Sequence, residues 1–281
     1  MRRNALVPLF VVILVVVTAA VHASGGAADP AIPPGEAGAK MALERSPRHH
    51  EWVDIAVPES GAKAAAFVAY PERKDKAPVV LVIHEIYGLT DWIRSVADRL
   101  AADGFIAVAP DFLSGKGPGG GGTDKFASRD DVVKAVRSLG PADVAAVLDA
   151  AARYGKALPA ATGKVATMGF CWGGAQSFSY ATMRADLGAA VVFYGTSPDN
   201  SALAAIRAPV LGLYGGDDAR VNATVGPAMA RMKELGKSFT EHTYPGAGHG
   251  FLRAQDGRDG ANLAASRKAW KEAVEHLKKH L

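Results

Sequence analysis

The chain has a single cysteine, Cys171, among its 281 residues. One thiol excludes an intrachain disulfide, so the fold must rest on an apolar core. Charge of one sign is also scarce. Lys plus Arg number 32 and Asp plus Glu 28, a formal net charge of +4. Residues 1–23 hold two of the arginines and no acid, and without them the balance is milder still. That argues against nucleic acid or an anionic membrane surface as a partner. There is no internal repeat, and no cluster with metal-ligand spacing. His49 and His50 are adjacent, a pattern more typical of solvated histidines than of a metal site.

Only one long apolar run occurs, and it lies at the start. Arg2 and Arg3 precede an almost unbroken apolar stretch, and Val21-His22-Ala23 offers small residues where a signal peptidase cuts. Residues 6–21 fall short of the roughly 20 that a spanning helix needs. Residues 1–23 therefore read as a cleaved signal peptide, with an uncleaved anchor as the alternative. Export to the periplasm or outside is the expectation, with no membrane association after cleavage. Residues 24–47, rich in Ala, Gly and Pro, read as a disordered leader before a domain at 48–281.

That domain is long enough for one large α/β unit. Strands are expected at 52–57, 64–69, 79–84, 106–109, 165–169, 189–194, 210–214 and 239–243. From Val79 onward most are continuous apolar runs, as in parallel strands covered on both faces. Helical periodicity appears in Trp92, Ile93, Val96, Ala97 and Leu100, and again in Trp270, Val274, Leu277 and Leu281. Alternation of the two predicts a mostly parallel, doubly wound sheet of about eight strands, opened by an antiparallel pair. The glycine run "KGPGGGGT" at 116–123 is either a mobile lid or a plain linker.

The chemistry gathers around the thiol. In "KVATMGFCWGGAQSF" a strand enters Gly-x-Cys-x-Gly and leaves as a helix, the pattern of a nucleophile elbow. The turn is so sharp that Gly169 and Gly173 must lack side chains. The helix start behind the sulfur favours thiolate and frees the Trp172 amide for an oxyanion. "VLGLYGGDD" then ends a strand on Asp217 and Asp218, and "YPGAGHGF" carries His249 on a loop after the last strand. Nucleophile, acid and histidine follow in the order of α/β-hydrolases.

These stretches, with "VIHEIYGLTDWIRSVADRLAADGFIAVAPDF", resemble the dienelactone hydrolase family over most of the chain from about Trp52. The resemblance implies an α/β-hydrolase fold and a lactone or small ester as substrate. It implies Cys171 as nucleophile, His249 as base and Asp218 rather than Asp217 as acid, with a thioester intermediate. Glu85 matches a glutamate that contacts the cysteine in the family, and a carboxylate there can take the thiol proton. Ile86 would add a second oxyanion amide. His84 has no matching role and is expected to be structural. Arg253 matches an arginine that grips a substrate carboxylate, a task its planar fork suits. The other reading of Arg253 is a surface ion pair with Asp256 or Asp259. Arg129 is the candidate for a second substrate arginine. No cofactor is implied, and a monomer is expected. The rival readings are a general esterase or thioesterase, and a binding protein that keeps the fold without the chemistry.

Overall fold

The computed structural model describes residues 29–281. The expected signal peptide and the first residues of the expected leader lie outside that range. Eight strands form one sheet in the order β1-β2-β4-β3-β5-β6-β7-β8. They are β1 (His50–Val57), β2 (Ala62–Ala69), β3 (Ala77–Ile83), β4 (Ile106–Pro110), β5 (Ala161–Phe170), β6 (Ala190–Phe193), β7 (Val210–Gly215) and β8 (Phe239–Tyr244). β3 to β8 run parallel, and β2 pairs antiparallel with both β1 and β4. This is the expected α/β-hydrolase architecture. The strands β3, β4 and β6 are buried almost throughout, because helices cover both faces.

Among the described residues seven α-helices flank the sheet: α1 (Ala39–Arg45), α2 (Asp91–Ala102), α3 (Arg129–Arg137), α4 (Pro141–Ala157), α5 (Trp172–Ala181), α6 (Ala219–Glu234) and α7 (Ala261–His280). One face of the sheet packs against Trp92 and Ile93 of α2 and Trp270 and Leu277 of α7. The other packs against Leu148 of α4, Phe178 of α5 and Met232 of α6. Each buried large side chain of this kind contributes roughly 1.5–3 kcal/mol of transfer free energy. These two cores, rather than any crosslink, fix the strand ends on which the loops sit.

The expected disordered leader is a correction. Residues 29–47 form a strap along the domain, with Ile32 and Ala39 buried in the core. Trp92 Nε1 donates to the Pro34 carbonyl at 3.0 Å, and Gln255 Nε2 donates to that of Pro33 at 2.8 Å. A composition rich in Ala, Gly and Pro suggested flexibility, yet the proline carbonyls serve here as anchored acceptors. His50 departs from the solvated reading as well. It opens β1, and its Nε2 lies 2.7 Å from Asp98 Oδ1.

The glycine run is held rather than loose. Asp111 accepts from the Thr123 amide and hydroxyl, both at 2.7 Å, and Leu89 N donates to Thr123 Oγ1 at 3.1 Å. Gly120, Gly121 and Gly122 line an open cavity of about 1060 Å³ against Trp52, Lys63 and Arg94. Neither Cys171, Asp218 nor His249 lines that cavity.

Candidate active site

Five loops leave the carboxyl ends of neighbouring strands, and each brings a polar or aromatic group to the same edge of the sheet. Open α/β sheets place ligands there because helix starts and strand ends converge.

Cys171 caps α5 at φ 55° and ψ −113°, a conformation that non-glycine residues rarely adopt. Strain of this kind persists only where the surroundings enforce it. Here the glycines do so. A Cβ on Gly169 would lie 1.9 Å from the Gly173 carbonyl oxygen, and one on Gly173 would lie 2.2 Å from that of Ile83. The elbow closes only because both side chains are missing. The Trp172 and Ile86 amides face the sulfur and favour its ionised form. They are outweighed. Burial first, and the Glu85 charge second, push the thiol up to about 11. At neutral pH the sulfur therefore rests protonated.

Glu85 follows β3 and is 3% exposed. Burial raises its carboxyl from 4.5 to about 7, against the pull of Arg253, whose Nε donates to Oε2 at 2.7 Å. The carboxylate is thus poised near neutrality beside a neutral thiol. His84 is fully buried. Its Nδ1 lies 2.7 Å from the Glu85 carbonyl oxygen, and its ring stacks on Trp172 at 5.4 Å. Burial holds that imidazole neutral.

Asp218 ends the loop after β7 and has two tasks. Oδ1 accepts from the Val221 amide at 3.4 Å and caps α6, while Oδ2 lies 2.5 Å from His249 Nδ1. Asp217 instead faces outward and pairs with Arg258 at 2.9 Å. The histidine loop is fastened from α7. Asn262 Oδ1 accepts from the Gly248 amide at 3.0 Å, its Nδ2 donates to the Ala254 carbonyl at 2.7 Å, and Ser266 holds the Phe251 carbonyl. With Nδ1 held by a carboxylate, Nε2 is the ring nitrogen left for chemistry.

Arg253 pairs with neither Asp256 nor Asp259. It lies between Glu85 and Glu36, and Arg129, at the start of α3, joins it on Glu36. Both guanidiniums lie over the Tyr87 ring, at 3.9 Å for Arg129 and 5.2 Å for Arg253. The two expected substrate arginines are therefore together. Sequence reasoning missed Tyr87 and Tyr194. Tyr194 follows β6 at φ 40°, packs edge-on against His249 at 5.2 Å, and has a buried hydroxyl without a hydrogen-bond partner. Its position just past a buried strand, before Gly195, was the available signal.

Among the described residues no group of His, Cys, Asp or Glu could hold a metal ion, and no helix is long and apolar enough to cross a membrane.

The family model described as the dienelactone hydrolase family matches residues 64–281. A Salmonella typhimurium protein provisionally named carboxymethylenebutenolidase is 31% identical over 232 residues, 78% of this chain and 84% of that protein. A Methylorubrum extorquens protein with the same provisional name is 33% identical over 227 residues, 74% and 77% of the two chains. A solved structure from Klebsiella pneumoniae, provisionally named a dienelactone hydrolase, superposes with a TM-score of 0.69 at 28% identity. It covers 81% of this chain and 98% of that one.

Proposed function

The chain belongs to the dienelactone hydrolase family and is a carboxylic ester hydrolase, and we propose that it cleaves a lactone or small ester through a thioester on Cys171. His249 and Asp218 complete the triad, and Ile86 and Trp172 donate to the oxyanion. The observation that carries this reading is the strained elbow that holds Cys171 at φ 55° against Gly169 and Gly173, at the same sheet edge as the Asp218–His249 pair, 2.5 Å apart.

The first half of the reaction follows from those groups. A substrate carbonyl lies with its oxygen towards the two amides. The thiol proton passes to Glu85 as sulfur adds to the carbonyl carbon. When the C–O bond breaks, that proton goes to the leaving oxygen, and the acyl group stays on sulfur. In the resting site this transfer is uphill, because the thiol holds its proton more tightly than Glu85 does. Arg253 is the means of lowering that barrier. It holds the Glu85 pKa down, so a substrate group that draws Arg253 away makes Glu85 a stronger base.

In the second half His249 Nε2 takes a proton from a water molecule that adds to the thioester carbonyl. The C–S bond breaks, and the proton returns to sulfur. Asp218 holds the ring by Nδ1 and stabilises the imidazolium that forms. Amides preset for the oxyanion suit this chemistry, since they need no reorganisation as charge develops.

The chain is also proposed to be exported, with residues 1–23 as its signal. A thiol that stays protonated at rest resists oxidation, which suits an oxidising compartment. A chromogenic ester assay on the purified mature protein, with and without a thiol alkylator, tests the catalytic reading. Hydrolysis that survives complete alkylation of Cys171 would refute it. The mature N-terminal sequence tests export.

A further inference from the structure

The arginines expected to hold a substrate's acid group already hold a carboxylate, and it comes from outside the catalytic loops. Glu36 lies on the strap that precedes α1. Its Oε2 accepts from Arg253 Nη1 at 2.6 Å, and its Oε1 accepts from Arg129 Nη2. Each oxygen serves a different guanidinium, so one carboxylate bridges the pair.

The fold places this group deliberately close. The Glu36 amide donates to the Arg253 carbonyl at 2.9 Å, and the strap on its N-terminal side is tied down through the Pro33 and Pro34 carbonyls and buried Ile32. The strap backbone is fixed, while the Glu36 side chain is 40% exposed. Rotation of that side chain into water breaks two ion pairs, one with half-exposed Arg129 and one with the more buried Arg253, which keeps Glu85 as its partner. Arg253 and Arg129 hold Glu36 ionised, overcoming the opposing effect of its partial burial.

Charge favours an exchange. Two guanidiniums face two carboxylates, Glu36 and Glu85. If Glu36 swings out, one positive charge is uncovered between Arg129 and Arg253, above the Tyr87 ring. A single substrate carboxylate restores the balance with the same bidentate chemistry.

We propose that Glu36 is a built-in competitor for the acid subsite formed by Arg253 and Arg129, and so sets how strongly the enzyme selects carboxylate-bearing substrates. Such a substrate must displace Glu36 before it binds. A neutral ester does not meet that demand. The inference rests on the proposal that Arg253 faces the substrate.

The test compares the wild type with Glu36→Gln, an isosteric change at a part-exposed position. Substrates are a carboxylate-bearing lactone and its neutral methyl ester, with glutarate as an unreactive probe of the acid subsite. The ratio of kcat/KM for acid over ester should rise about five- to tenfold in the variant, through KM of the acid. Glutarate, followed by calorimetry, should bind tighter by a similar factor. Adding Arg129→Met to Glu36→Gln should abolish both gains. An unchanged or lower ratio with unchanged glutarate affinity would overturn the proposal while leaving the Cys171 chemistry standing. Hydrolysis that does not depend on Cys171 would overturn the catalytic reading instead, and the glutarate measurement would still decide the role of Glu36.

Discussion

Arg253 and Glu85 form one ion pair, Nε to Oε2 at 2.7 Å, with side chains 19% and 4% exposed. The proposed proton acceptor and the proposed substrate anchor are thus in direct contact. A change at one must be felt at the other, since a buried charge of this kind depends on its partner.

That contact makes the pH profile diagnostic. Acylation needs Glu85 as carboxylate, and its pKa lies at about 7. On a neutral ester, kcat/KM should fall roughly tenfold for each pH unit below that value. Glu85→Gln should be slow at every pH and should lack this limb. A variant that keeps the wild-type limb would assign it to another group.

Stability should carry the same signature. The Glu85 carboxyl is raised in the folded chain from 4.5 to about 7, so the folded state binds this proton more tightly than the unfolded state. The stabilisation is complete below about pH 4.5 and is lost as pH rises through 7, a total of about 3 kcal/mol. Buried His84 and His276, whose pKa values burial lowers, act in the opposite sense in both proteins, so the signature is the difference between them. From pH 5 to pH 8, urea unfolding should show the wild type losing most of that amount relative to Glu85→Gln.

The thiol itself should be sluggish. With its pKa pushed up to about 11, Cys171 should react slowly with iodoacetamide at pH 7, and the rate should climb with pH up to at least 10. Glu85→Gln removes a neighbouring negative charge and should speed alkylation at neutral pH. An alkylation rate that is fast at pH 7 and flat above it would mean a resting thiolate.

The two adjacent aspartates should separate cleanly. Asp218→Asn removes the carboxylate that holds His249 Nδ1 and should cost about 10³–10⁴ in kcat. Asp217→Asn loses only an exposed pair with Arg258 and should stay within a few-fold of wild type. Steady-state kinetics on one ester decides between them.

What the sequence displayed, and what it hid, follows from the kind of interaction involved. The central strands were legible because burial on both faces leaves continuous apolar runs, such as 79–83, whereas the edge strands β1 and β8 are only partly buried. The reversed order of β4 and β3 within the sheet was not, since strand order leaves no local mark. Cys171, Asp218 and His249 stood out because an elbow and its partners need glycines and strand ends in sequence order. Glu36 was hidden. Its segment lacks periodicity, and its place is set by carbonyls of Pro33 and Pro34 that accept from distant side chains. Arg129 was a candidate without a fixed place until the strap brought it beside Arg253. Tyr87 and Tyr194 were not singled out, because a ring packed on a histidine or an arginine has the same sequence pattern as one packed on leucine.

Covalent catalysis by Cys171 is most directly tested by trapping the acyl group. In the mechanism proposed, Glu85 serves acylation and His249 serves deacylation, so His249→Ala should acylate and then stall. After mixing with an activated ester, intact-mass spectrometry should show one added acyl group per chain, and peptide mapping should place it on Cys171. The adduct should be absent from the same variant carrying Cys171→Ala. An adduct on another residue, or an acyl group that still appears without Cys171, would contradict the account.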